Sequence, residues 1–295
     1  MKRKFSTQMI VTMFTIISLV ACKKDNPPAD NGNDVKINSS NTFGQYITNK
    51  KGETLYFFAN DADGLNTCTG GCEAVWPVFY STLTNLKLDA GLDIADFAEI
   101  TTSNGKKQLT YKGWPLYTYS PASTSSDGYG GSTTSNKPEA PGQITGDGVG
   151  GVWFVGKPDY TIMLANKQLT GKDGKNYTSL YVEGTGKTLY FTNAKGRTLF
   201  IFTKDKMNIN TFTKSDFSNN TVWPIYEQNK FVVPSTLDKS LFGSINVFGK
   251  TQITYKGWPL YYFGEDVLRG KNTGVSVPTP GVWPVAVRDL ANPPN

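Results

Sequence analysis

The 295-residue chain carries 30 Lys and Arg against 24 Asp and Glu, a formal net charge of +6, and no histidine. It therefore lacks the commonest general base, the usual zinc ligand and the base partner of a serine or cysteine nucleophile, which excludes most familiar hydrolase arrangements. Its positive charge is scattered, and it falls from +6 to +3 when Lys2, Arg3 and Lys4 leave with the leader described next, so nothing points to nucleic acid.

Lys2, Arg3 and Lys4 precede the uncharged residues 5–21, whose apolar heart is residues 9–20. This is the charged start and apolar middle of a signal peptide spanning residues 1–21. Ser6, Thr7, Gln8, Thr12, Thr15 and Ser18 interrupt it, and it falls short of the roughly 20 apolar residues of a membrane span. It closes on Leu19-Val20-Ala21-Cys22, which resembles the lipobox of bacterial lipoproteins. Cys22 is thus expected to be the first mature residue and to carry a covalent lipid, the one prosthetic group expected, anchoring the chain to a membrane. Lys23, where an Asp would retain the protein in the inner membrane, favours the outer membrane, on its periplasmic face or at the cell surface. Residues 22–42, rich in Lys, Asp, Asn, Pro, Gly and Ser, read as a flexible tether.

Two long repeats follow, over residues 43–160 and 177–290, with residues 161–176 as a linker and 291–295 as a tail. The decapeptide beginning Gln108-Leu109-Thr110-Tyr111-Lys112-Gly113-Trp114-Pro115 returns, with one conservative change, at Gln252-Ile253-Thr254-Tyr255-Lys256-Gly257-Trp258-Pro259. Within each repeat a Lys-Gly-x-x-Leu-aromatic-x-aromatic unit occurs twice, at residues 51–58, 112–119, 195–202 and 256–263. Each is followed by a Val-Trp step, ending at Trp76, Trp153, Trp223 and Trp283. Asn49 and Gly52, like Asn193 and Gly196, suit the first and last positions of a turn, and Gly113 and Gly257 suit tight hairpins. Flanking aromatic and β-branched residues complete the strand pattern. The nearest approach to a helical pattern is residues 86–100. The fold class is all-β, two tandem repeats of two hairpin-based units each, forming either two β domains or one closed propeller-like or barrel-like body. One asymmetry stands out: Trp114 and Trp153 are 39 residues apart and Trp258 and Trp283 only 25, the excess lying in a polar Ser, Thr and Gly loop at residues 120–151.

Cys68 and Cys72, in Cys-Thr-Gly-Gly-Cys, read first as a small structural disulfide in an oxidising compartment. A labile redox pair or a thiol metal site is the alternative.

The tandem copies, the lipobox and the pattern Tyr-x-aromatic-x-x-Asp together resemble the secreted-repeat bacterial lipoprotein family, characterised by a Tyr-x4-Asp motif and without an established function. The motif stands as Tyr56, Phe58, Asp61 and as Tyr261, Phe263, Asp266; Phe200, Phe202, Asp205 departs by Phe for Tyr. Tyr117 and Tyr119 lack the acid, Ala122 occupying its place. The resemblance implies export and a compartment, and no activity.

An acid leaving a strand into a turn most simply accepts backbone amides there. The functional alternative is that Tyr56, Asp61, Asp205, Tyr261 and Asp266 face a ligand or ion. Asp61-Ala62-Asp63-Gly64-Leu65-Asn66 resembles part of a calcium loop but lacks a closing glutamate, so no metal is assigned. Aromatic residues make up 13% of the chain and could stack on a polysaccharide, although recurrence of the Trp-Pro steps favours core corners. The expected function is therefore a non-catalytic, membrane-anchored envelope protein binding or scaffolding other envelope proteins. A redox- or metal-associated accessory and a glycan-binding surface protein are the alternatives.

Overall fold

The computed structural model describes residues 32–126 and 132–295. The signal peptide and Cys22 lie outside the described residues.

The first repeat opens with a hairpin of β1 (Val35–Ser40) and β2 (Gly44–Asn49). The short β3 (Tyr56–Phe58) follows, then the one-turn α1 (Gly71–Val75). Next comes a meander of β4 (Phe97–Thr101), β5 (Lys107–Tyr111) and β6 (Trp114–Pro115), then a separate ribbon of β7 (Ala122–Ser126) and β8 (Ser132–Asn136). β9 (Trp153–Val155) returns to pair with β3. The second repeat reproduces the plan. β10 (Ile162–Thr170) pairs with β11 (Asn176–Tyr177) and β12 (Lys187–Asn193), and β13 (Phe242–Val247), β14 (Lys250–Tyr255) and β15 (Trp258–Pro259) form the second meander. The protein is thus mostly strand, in two- and three-stranded sheets, and none of those described closes into a barrel.

The turns form for the reasons their residues dictate. Asn49 Oδ1 accepts the amides of Lys51 and Glu53, and Asn193 Oδ1 accepts those of Lys195 and Arg197, so one side chain closes each turn. Between β5 and β6 both central residues have positive φ, 51° at Lys112 and 79° at Gly113, and Lys256 and Gly257 repeat this at 50° and 85°. That is the tight hairpin geometry matching the twist of the strands, with glycine at the second position.

The structure moves four boundaries. Residues 161–176 are not a linker: β10 fills most of that stretch, and Ile162, Met163, Leu164 and Ala165 are core residues. The tether ends earlier than residue 42, because β1 occupies Val35–Ser40 and buries Val35 completely. The tail is docked, Trp258 Nε1 donating to the Ala291 carbonyl at 2.7 Å and the Met207 amide to that of Pro294 at 2.8 Å. Residues 86–100 form no helix beyond the 3-10 turn Ile94–Asp96, whose Ala95 amide is capped by the Asp93 side chain, before β4 takes over.

The two repeats share a core. Leu55, Phe57 and Trp114 of the first belong to the same buried cluster as Tyr190, Phe200 and Trp223 of the second. Trp114 crosses the boundary, its Nε1 donating to the Ala194 carbonyl at 3.0 Å. Arg269 answers from the second repeat. Its guanidinium lies over the Trp114 ring at 4.5 Å, and it donates to the Ala62 carbonyl at 2.9 Å and that of Lys112 at 3.3 Å. Burial lowers its pKa to about 10, so it remains a cation at neutral pH.

Candidate functional site

The recurrent motif residues converge on two equivalent centres, one in each repeat. In the first, Tyr56 and Tyr117 face each other as an antiparallel bridge, each amide donating to the other's carbonyl at 2.9 and 3.1 Å. Phe200 and Tyr261 make the same bridge in the second, at 2.8 and 2.9 Å. A local pseudo-two-fold relation therefore runs between the two units of each repeat.

Side chains are exchanged across that relation. Tyr117, of the second unit, donates its hydroxyl to Asp61 of the first at 2.5 Å. Tyr56, of the first unit, donates to Glu139 of the second at 2.6 Å. In the second repeat Tyr261 donates to Asp205 at 2.7 Å. The tyrosine and the acid of one motif thus bond partners in the sister motif.

Each acid also closes its own loop. Asp61 Oδ1 accepts the Thr67 amide and hydroxyl at 2.8 and 2.6 Å, and Asp205 Oδ1 those of Thr211 at 2.7 and 2.9 Å. Glu139 Oε1 takes the amide and hydroxyl of Thr145. Asp266 accepts the Thr273 hydroxyl at 2.5 Å and the Gly274 amide at 3.2 Å. A threonine six residues after the acid in three units, and seven in the fourth, is the signal that sequence reasoning missed.

Glu139 corrects the reading of Ala122 as the missing acid. β7 and β8 are an inserted ribbon with its base pinned by Lys137, whose amide donates to the Pro121 carbonyl. Beyond it the Glu139 amide bonds the Tyr119 carbonyl at 2.9 Å, as the Asp266 amide bonds that of Phe263 at 3.1 Å.

The Val-Trp steps assemble beside these centres. Trp76 and Trp153 stack with centroids 3.8 Å apart and planes 3° from parallel; Trp223 and Trp283 do so at 3.8 Å and 6°. Phe58 covers the far face of Trp153 at 4.1 Å and Tyr119 that of Trp76 at 4.3 Å. Phe202 and Phe263 take those places in the second repeat. Tyr56 and Tyr117 meet the stack edge-on, as do Phe200 and Tyr261, an arrangement the ring quadrupoles favour. Gly146 and Gly274 pass so close that a Cβ would lie 2.8 Å from the Trp76 or Trp223 ring.

Burial sets the electrostatics. It raises Asp61 to about 6, against the opposing bonds from Thr67 and Tyr117, and it raises Asp205 and Asp266 too. Burial pushes Tyr56, Tyr117 and Tyr261 well above the usual phenol range, with the facing carboxylates adding to the effect. All these tyrosines are therefore donors at neutral pH.

The five residues assigned to a ligand-facing motif are thus placed as follows. Tyr56, Asp61, Asp205, Tyr261 and Asp266 are buried to 1% exposure or less, with every carboxylate bonded inside the protein. Asp61 lies in the centre of the first repeat and Asp205 and Asp266 in that of the second, so the three acids do not form one ring. The calcium-like stretch is engaged elsewhere: Asp63 pairs with Lys167, and Asn66 Nδ2 donates to Gln108. Cys68 and Cys72 form a disulfide, and the Cys68 sulfur packs in the cluster of Tyr56, Trp76 and Trp153.

What fold and centres define together is a class: a two-repeat all-β protein in which a motif tyrosine of each repeat bonds the acid of its sister unit. Residues 40–80, 98–132 and 247–287 match the family described as a secreted repeat of unknown function. The third unit, with Phe200 in place of tyrosine, is outside the matched segments. No curated protein and no solved structure matches the chain.

Proposed function

We propose that the protein is an outer-membrane lipoprotein, anchored through a lipid on Cys22, whose repeats form a non-catalytic scaffold that binds other envelope components. One observation carries this reading: the recurring polar residues, the candidates for chemistry, point inward and satisfy one another. Repetition here preserves architecture. The secreted description of the family agrees with export, and no helix among the described residues is long and apolar enough to cross a membrane, so attachment through the helices described is unavailable.

The glycan alternative is weakened, because all six tryptophans are buried, Trp258 being the most accessible at 8%. The redox alternative is weakened by the packing of Cys68, 1% exposed, against the aromatic stack. Metabolic labelling with radioactive palmitate, followed by membrane fractionation, tests the anchor. Labelled protein in the outer-membrane fraction, lost in Cys22→Ala, is expected; an unlabelled, fully soluble wild type would refute it. In-cell crosslinking tests the scaffold role, for which recovery of the protein with no envelope partner is the contrary result.

A further inference from the structure

A cleft of about 370 Å³ opens where the two repeats meet. Its walls come from the β1–β2 turn, the segment after β9 and the loop at residues 231–239. Its volume is that of a small-molecule site.

The charges lining it are unevenly matched. Asp159 Oδ2 lies 3.7 Å from Lys230, its Oδ1 buried without a hydrogen-bond partner among the described residues, and nearby Asp147 accepts the Val155 amide at 2.7 Å and the Ser235 hydroxyl. Lys157 and Lys239 also line the cleft, and neither is ion-paired with a carboxylate among the described residues. Lys157 is half-buried, its ammonium over the Tyr160 ring face at 5.5 Å. Burial lowers its pKa against the opposing attraction of Asp159 and Asp147, and the repulsion of Lys239 adds to the lowering. A half-buried cation without a direct ion-pair partner is costly, and an arriving anion reduces that cost. Phe43, Phe231 and Val233 supply an apolar wall beside the two ammonium groups.

We propose that this cleft binds a small organic anion with an apolar body, its anionic head at Lys157 and Lys239 and its body against Phe43, Phe231 and Val233. This rests on the binding role above, but its failure would leave the palmitate and crosslinking results untouched. The simplest probe is octanoate, with inorganic phosphate supplying charge without a body and octyl glucoside, below its micellar concentration, a body without charge. Calorimetric titration of the exported Cys22→Ala protein is expected to show one octanoate site, weakened at least tenfold in Lys157→Met/Lys239→Met, with phosphate and octyl glucoside both weaker. Raising salt from about 0.05 M to about 0.5 M weakens octanoate binding in the unaltered cleft, a check independent of the variant's folding. Absence of octanoate binding, octyl glucoside binding as tightly, or binding indifferent to both salt and the lysines would overturn the proposal.

Discussion

Tyr56 donates its hydroxyl to Glu139, 83 residues away, and the same oxygen accepts the Gly146 amide at 3.2 Å. In the second repeat Phe200 stands in place of Tyr56, and the corresponding amide, that of Gly274, reaches the shorter Asp266 directly at 3.2 Å. Tyr with Glu and Phe with Asp are thus two solutions to one local problem, how to satisfy a buried glycine amide beside a tryptophan.

This pairing predicts non-additive substitutions. Tyr56→Phe strands both the Gly146 amide and a Glu139 oxygen and is expected to cost about 1–3 kcal/mol in denaturant unfolding. Phe200→Tyr alone forces a hydroxyl between Gly274 and Asp266 and is expected to destabilise; adding Asp266→Glu recovers part of the loss. A Phe200→Tyr protein as stable as wild type would count against the scheme.

The stacked tryptophans are expected to dominate core stability. Trp223→Ala removes the ring lying between Trp283 and Phe263 and should cost about 3–5 kcal/mol, and Trp76→Ala a similar amount. Urea titration of each variant measures this. A loss under about 1 kcal/mol would place the stack outside the core.

Acidification should favour the fold at Asp61. Its folded pKa of about 6 lies above the ordinary 3.8, so between those values the folded state binds more protons than the unfolded one. Stability from this group is therefore greatest below about pH 4 and falls as pH rises through about 6. The stability of wild type relative to Asp61→Asn should increase on the order of 2–3 kcal/mol as pH drops from 7 to 4. A difference that stays flat with pH, measured by urea unfolding, contradicts the buried assignment.

The disulfide closes a loop of five residues from Cys68 to Cys72, for which the chain-entropy estimate is about 2 kcal/mol. Cys68→Ala/Cys72→Ala should lose about that much and keep its far-ultraviolet circular dichroism, whereas loss of the folded signal would make the bond a condition of folding.

Local chemistry was legible in the sequence wherever it was local in the chain. Asn49, Gly52, Asn193 and Gly196 announced their turns, and the recurrence of the Trp-Pro steps announced core corners. Spatial exchange was not legible: nothing in the spacing of Tyr56 and Asp61 indicates that each bonds the sister unit, because that follows from a pseudo-two-fold packing made only on folding. The inserted β7–β8 ribbon displaced Glu139 from its expected place, so alignment by spacing landed on Ala122. β10 was hidden because Lys172, Asp173 and Gly174 signal a turn; they do form one, after the strand. Arg269 and Lys157 carry no motif, since their roles depend on faces that meet across the repeat boundary.

The central claim, that motif tyrosines and acids bond across units, is tested most directly by double-mutant cycles on unfolding free energy. The pair Tyr117→Phe with Asp61→Asn should show a coupling energy of about 1–2 kcal/mol, while Tyr56→Phe with Asp61→Asn, the pair within one motif, should be additive to within about 0.5 kcal/mol. Strong coupling within the motif together with none across units would contradict the account.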